Sequence, residues 1–352
     1  MIFCYNPVDK NSEDIMDNAL VQILLIGAMI LLYTLQSLFS KMYNDNYPGN
    51  PHHAADVFTV VCGVVVGIVS VCFTGFQFGP FRWETLLLGL VNVLILYGYE
   101  QFIIKASGKG PYAIMMVFNL GGGIIVPALI TPFLDLANFN GILFTIQMVT
   151  IVVICVAIYL VSSKNEENAP DGDKKKNLRT FFILSILLAI ANGLYGVVYA
   201  VHETAMSSVF ANLNEEALAT AINQQKQMLI IYSFAGAAII AAVKLIVAEK
   251  KKVHLTFVQN KKSLLYIILA AVVSAFAVNV LVALVGIVDT TLLYTFDNAG
   301  VMLLSALASA LIFKDKLSTK NIIGCVIMTL ALVLMGASGT LADILAPLFG
   351  VA

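Results

Sequence analysis

Residues 289–336, DTTLLYTFDNAGVMLLSALASALIFKDKLSTKNIIGCVIMTLALVLMG, read as an apolar run, a polar corner and a second apolar run. The first run carries Asp297 and Asn298 near its middle. The corner is Lys314-Asp315-Lys316-Leu317-Ser318-Thr319-Lys320, and the second run ends at Gly336. A helix of roughly 20 apolar residues crosses a hydrocarbon core about 30 Å thick, so each run has the length of a membrane span. A carboxylate at that depth costs about 2.5–3.5 kcal/mol to insert, which makes Asp297 the residue to explain.

The rest of the chain repeats this pattern. Of 352 residues, 60% are hydrophobic and 12% charged, with a mean hydropathy of +0.91. A soluble globular chain carries about 25% charged residues, so this composition excludes one. Backbone groups in lipid must be satisfied internally, and long apolar runs without strict alternation favour helices over a barrel. The expected class is an all-α integral membrane protein. Ten spans can be drawn, at 20–43, 54–75, 83–106, 112–134, 141–163, 179–201, 227–248, 264–286, 290–313 and 321–336. No removed signal peptide is expected, because the polar start has no small-residue cleavage site before the first span.

A polar stretch, 164–178, with three consecutive lysines at Lys174, Lys175 and Lys176, divides these spans five and five. Shifting by 178 sets Phe118-Asn119 on Phe296-Asp297, Gly122 on Gly300, Gln101 on Asn279 and Gly108 on Gly286. An offset of 159 sets Leu35 on Leu194. The change of offset places an insertion near 202–227. An odd number of spans per half makes the second half enter from the opposite side, so the expectation is ten transmembrane helices as two inverted five-helix repeats. The domains are then a polar N-terminal tail (1–19), a first repeat (20–163), a charged linker (164–178), a second repeat (179–338) and a C-terminal tail (339–352). Of the 20 Lys and Arg, 17 fall in or beside loops that follow odd-numbered spans. The positive-inside rule places those loops in the cytoplasm and both termini outside, in a cell (cytoplasmic) membrane.

Ionisable and amide groups inside spans mark aqueous paths or interhelical bonds. The substrate and coupling candidates are Asp297, Asn298, Glu100, Gln101, Asn119, Asn279, Asn192 and Asn92, with Tyr33, Gln36 and Tyr195 placed to line the same cavity. Either Glu100 or Asp297 could exchange a proton. The alternative for each is a group that only bonds neighbouring helices. Gly121, Gly122, Gly123 and Pro127 form a hinge candidate, since three glycines permit close approach and the proline removes a backbone bond. Close packing explains them equally. Gly63 and Gly67 read as a small-residue packing face.

Enzyme chemistry finds little support. Gly336-Ala337-Ser338-Gly339 has no following histidine to act as base, and no phosphate-binding glycine loop is present. The five cysteines lack metal or disulfide spacing. No cofactor, metal or nucleic acid is called for. The expected partners are the lipid bilayer, a small-molecule substrate and protons as the candidate coupling ion, in a monomer or homodimer.

Ser40-Lys41 closing the first span, and the run from Leu303 through Phe313-Lys314-Asp315-Lys316-Leu317-Ser318 followed by Ile323-Gly324, resemble the drug/metabolite transporter superfamily, in its EamA-like ten-helix form. In that family the corner reads Gly-Glu-x-Leu-Ser, for which Lys-Asp-Lys-Leu-Ser stands here. The chain departs from the pattern where Ser305 occupies the neighbourhood of the usual proline, and its loop after the sixth span is longer. The resemblance implies a secondary carrier whose cavity is lined by spans 1, 3, 4, 6, 8 and 9. It also implies cytoplasmic termini in many members, against the charge count.

Amides, tyrosines and one or two carboxylates without a buried cation cluster suit an amino-acid-like solute and disfavour sugar phosphates. The expected function is therefore export of a small polar organic metabolite, such as an amino acid, by alternating access. The alternatives are a multidrug or cation efflux carrier, and a non-transporting scaffold or lipid-modifying protein.

Overall fold

The computed structural model describes residues 19–49, 51–133, 139–162, 172–248, 260–284, 290–315 and 317–349. The tail 1–18, most of the charged linker (163–171), Lys316 and 350–352 lie outside them. The described chain is all helical: α1 (Ala19–Asn46), α2 (Pro51–Phe73), α3 (Trp83–Ser107), α4 (Tyr112–Ile130), α5 (Gly141–Ser162), α6 (Gly172–Val209), α7 (Glu215–Ala248), α8 (Lys261–Leu284), α9 (Thr290–Leu311), α10 (Thr319–Gly336) and α11 (Ser338–Leu345). Among the described residues, α1 to α8 and α10 are each long and apolar enough to cross a membrane, and Phe296–Leu311 of α9 forms a shorter apolar helix. Leu94, Val152, Ile246 and Leu330 are exposed on the helix surfaces, as side chains that face lipid must be. The protein is a multi-pass membrane protein.

The sequence marks many helix starts with an amide or hydroxyl. Asn140 Oδ1 accepts from the backbone N–H groups of Ile142 and Leu143, Asn214 Oδ1 from Ala217, and Asn260 Oδ1 from Lys262 and Ser263. Ser318 and Asn321 form a reciprocal capping box at α10. These bonds satisfy orphan donors that lipid cannot. At the opposite polarity, Lys41 Nζ donates to the Ser107 carbonyl at 2.9 Å, where α3 ends and its dipole is negative.

The polar stretch after the sixth span continues the flanking helices. α6 runs on to Val209 and α7 begins at Glu215, joined by a short turn. The fourth span ends earlier than expected, at Ile130 followed by a single 3-10 turn over Thr131–Phe133. Part of the C-terminal tail is helical, as α11.

The chain forms two compact units. The first contains 1–108 and 198–288, so α1, α2 and α3 from the first half pack with the end of α6, α7 and α8 from the second. Within it α1 lies on α8, and α7 on both α2 and α3. The second contains 109–197 and 289–352, where α5 lies on α10, α4 on α9, and α9 on α10. Each unit thus draws helices from both halves of the sequence.

Small residues set how closely the helices approach. A side-chain carbon on Gly63 of α2 would lie 2.5 Å from the Phe234 carbonyl oxygen of α7, whereas Gly67 faces open space. In the second unit Gly122 of α4 lies directly against the Ala189 backbone of α6, and Gly193 against Val126 and the Gly122 carbonyl. The glycines admit a backbone contact that any larger residue would hold apart.

Candidate functional site

Polar groups of the first unit gather where α2, α3 and α7 meet. Asp56 is 2% exposed, near the start of α2. Its Oδ1 accepts from the Tyr97 hydroxyl (2.8 Å), Gln101 Nε2 (2.8 Å) and Lys244 Nζ (3.0 Å), and its Oδ2 lies 2.9 Å from the same ammonium. Tyr97 and Gln101 sit four residues apart on α3, on one face of that helix. Lys244 Nζ also donates to the Tyr97 hydroxyl at 2.9 Å and stands 5.6 Å from the centre of its ring. This carboxylate is held by three groups through four contacts, and a buried charge needs such compensation.

Glu100 is on the neighbouring face of α3, buried beside Thr59 of α2, and its Oε2 has no hydrogen-bond partner. Gln101 donates through Nε2, while its Oε1 is buried and unpartnered. Two asparagines repeat this half-satisfied state. Asn92 Nδ2 donates to Ser233 Oγ of α7 at 2.9 Å, and Asn279 Nδ2 donates to Ser70 Oγ of α2 at 3.0 Å and to the Ala275 carbonyl. Their Oδ1 atoms remain buried without partners. The amide orientations are fixed by chemistry: Asp56 and the Ala275 carbonyl can only accept, and Ser233 spends its proton on the Leu229 carbonyl. The three unpartnered amide oxygens are therefore acceptors, and Glu100 Oε2 is a carboxyl oxygen.

At the other end of α3, Thr85 Oγ1 lies 2.7 Å from Gln225 Oε1 and 3.1 Å from His202 Nε2. His202 is fully buried and Lys226 pairs with Glu203 at 3.2 Å, so the sequence's polar insertion is tied into the first unit.

In the second unit, Asn192 Nδ2 of α6 donates to the Asn119 carbonyl of α4 at 2.8 Å. The hinge candidates stand at the same crossing. Gly122 meets Ala189, Gly123 faces the Asn192 amide, Pro127 lies beside Gly196, and Gly121 packs towards Met328 of α10 and Ile154 of α5. Asp297 lies on α9 with a buried, unpartnered Oδ1, and Asn298 beside it is 9% exposed. The corner beyond α9 is built on Asp315, whose Oδ2 accepts from the Tyr112 backbone N–H (2.9 Å) and the Ser309 hydroxyl (2.5 Å).

The residues singled out in the sequence thus divide between two units. Glu100, Gln101, Asn92, Asn279, Tyr33 and Gln36 belong to the first, and Asn119, Asn192, Tyr195, Asp297 and Asn298 to the second. Tyr33, Gln36 and Tyr195 are half-buried on α1 and α6. Asp56 was missing from the sequence reading, and Lys244 entered it only among the basic residues counted for orientation. The usable signal was Asp56 itself, an acid inside the apolar run that opens α2. Among the described residues, no group of three or more His, Cys, Asp or Glu side chains could hold a metal ion.

No protein-family model matches this chain, and no curated protein does. A solved structure described only as "Crystal structure of protein" aligns over 91% of this chain and 96% of its own, at 15% identity and a TM-score of 0.53. That likeness is one of fold.

Proposed function

We propose that the protein is a secondary-active carrier, rather than an enzyme, that exports a small polar organic metabolite such as an amino acid by alternating access, with protons as the coupling ion. The observation that carries this reading is the set of buried acceptors without partners inside apolar helices: Glu100 Oε2, Asp297 Oδ1, Gln101 Oε1, Asn92 Oδ1 and Asn279 Oδ1. A protein that used these helices only as scaffold would gain stability by replacing such atoms with apolar ones, since each unpaired buried group costs about 1–3 kcal/mol. Acceptors waiting for donors suit a solute rich in N–H groups, and a carboxyl oxygen suits a proton.

The inverted-repeat reading draws support from the helix pairings. Exchanging each helix with the one five places on converts the α3–α7 contact into α8–α2, and α4–α5 into α9–α10, while α2–α7, α4–α9 and α5–α10 map onto themselves. The Asn92–Ser233 bridge joins the first of these pairs and Asn279–Ser70 its exchanged counterpart. Inverted repeats of this kind suit alternating access.

Counterflow in reconstituted liposomes tests the reading. Liposomes loaded with a pooled amino-acid mixture are expected to accumulate labelled solute, and a pH gradient to drive the flux. Asp297→Asn is expected to abolish the pH-driven component and spare exchange. Absence of counterflow with every metabolite pool would favour a scaffold, and an unchanged pH dependence would remove Asp297 from the coupling step.

A further inference from the structure

We propose that Asp56, Tyr97 and Gln101 form a binding site for the primary ammonium group of the transported solute, and that Lys244 occupies this site as a built-in competitor. The inference rests on the carrier reading above and names the chemistry of the group recognised. The Lys244 ammonium shows what fits: it donates to Asp56 Oδ1 at 3.0 Å and to the Tyr97 hydroxyl at 2.9 Å, lies 2.9 Å from Asp56 Oδ2, and stands 5.6 Å from the centre of the Tyr97 ring. A carboxylate, an acceptor hydroxyl and an aromatic face are the components that recognise an alkylammonium ion.

The members of the cluster differ in their freedom to leave. The Asp56 side chain is 2% exposed and that of Lys244 49%. Tyr97 and Gln101 are anchored on α3 and donate to the carboxylate, so the lysine at the end of its flexible stem is the component that can withdraw. Without the lysine the carboxylate keeps two neutral donors but no countercharge, which is unfavourable at this depth, so withdrawal of one cation favours arrival of another. A solute ammonium reproduces the same contacts and makes that exchange nearly even.

The second observation is independent of the ion pair. Gln101 Oε1 and Glu100 Oε2, both 4% exposed residues on the same turn of α3, have no partners while Lys244 is in place. The lysine therefore leaves acceptors that an incoming solute with further N–H groups can use, whereas a purely structural ion pair has no need of them.

The test uses the purified full-length protein in detergent, with n-butylammonium, the head and stem of a lysine side chain, as the probe. Lys244→Ala is expected to bind it more tightly than the native chain, on the order of tenfold, because a tethered competitor lowers the apparent affinity by the fraction of time the site is free. Adding Asp56→Asn to that variant is expected to abolish the gain, and n-butanol is expected to bind neither protein. Lys244→Met matches most of the stem's length and removes the charge, so it carries the same expectation should the alanine variant fold poorly. Equal affinity in the native and Lys244-substituted proteins, or binding retained by the double variant, overturns the proposal. Binding is read without flux, so its failure leaves the carrier reading standing. Absent counterflow with binding intact strikes the carrier reading alone.

Discussion

The Asp315 carboxylate accepts the backbone N–H of Tyr112 at 2.9 Å across 203 residues of sequence. It thereby caps the first turn of α4 from the corner that follows α9, with Ser309 donating to the same oxygen and accepting from the Ala113 N–H. A negative charge at a helix N-terminus gains from both the orphan donors and the dipole. Asp315→Ala is expected to destabilise the protein by about 1–2 kcal/mol, and Asp315→Asn by less because it keeps an acceptor. Thermal melts in detergent read both.

Lys314, one residue earlier, has φ +53. A side-chain-bearing residue in the left-handed region carries about 1–2 kcal/mol that glycine avoids. Lys314→Gly is expected to raise the melting temperature, and a fall would show that the lysine side chain contributes more than its backbone strain costs.

Gly122 and Gly67 give opposite expectations for one substitution. A methyl at Gly122 meets the Ala189 backbone, so Gly122→Ala is expected to cost about 1–3 kcal/mol by forcing α4 from α6. Gly67 has nothing within 4 Å, and Gly67→Ala is expected to be neutral or stabilising by up to about 1 kcal/mol through helix propensity. Parallel melts check the sign at each position. If Gly122 also serves as a hinge, its alanine variant loses flux beyond what the melt explains.

The Asn92–Ser233 bond predicts a coupled pair. Interhelical bonds of this type contribute about 0.6–2 kcal/mol, so Asn92→Ala is expected to cost that amount and Ser233→Ala to add little in the same background. A double-mutant cycle measures the coupling, and strict additivity would mean that the bond carries no stability.

The helices were legible because insertion into lipid imposes a length and an apolar composition that can be read locally. Their ends were less so. The expected end of the sixth span and start of the seventh excluded His202 and Lys226, whose polarity suggested loop. The structure buries both, beside Glu203 and Thr85, and a pairing of that kind has no local signature. Asp56 escaped for the same reason. It follows His52-His53 near a helix start, where an acid is unremarkable, while Lys244 lies near the lysines at 250–252 and registered only as a sign of orientation. Glu100 and Asp297 were found because each lies well inside its expected span, where an acid is conspicuous without knowledge of its neighbours, whereas Asp56 lies two residues from the expected start of its own.

The Asp56–Lys244 bond also carries a consequence for biosynthesis. The two residues are 188 positions apart, and chains are made at about 5–20 residues per second, so Asp56 reaches the membrane roughly 10–40 s before its cation exists. During that interval α2 holds an acid without its final partner, and α1 lacks α8, the helix it packs against in the finished unit. Chains that end before α7 therefore carry Asp56 without its lysine, whereas completed chains neutralise it.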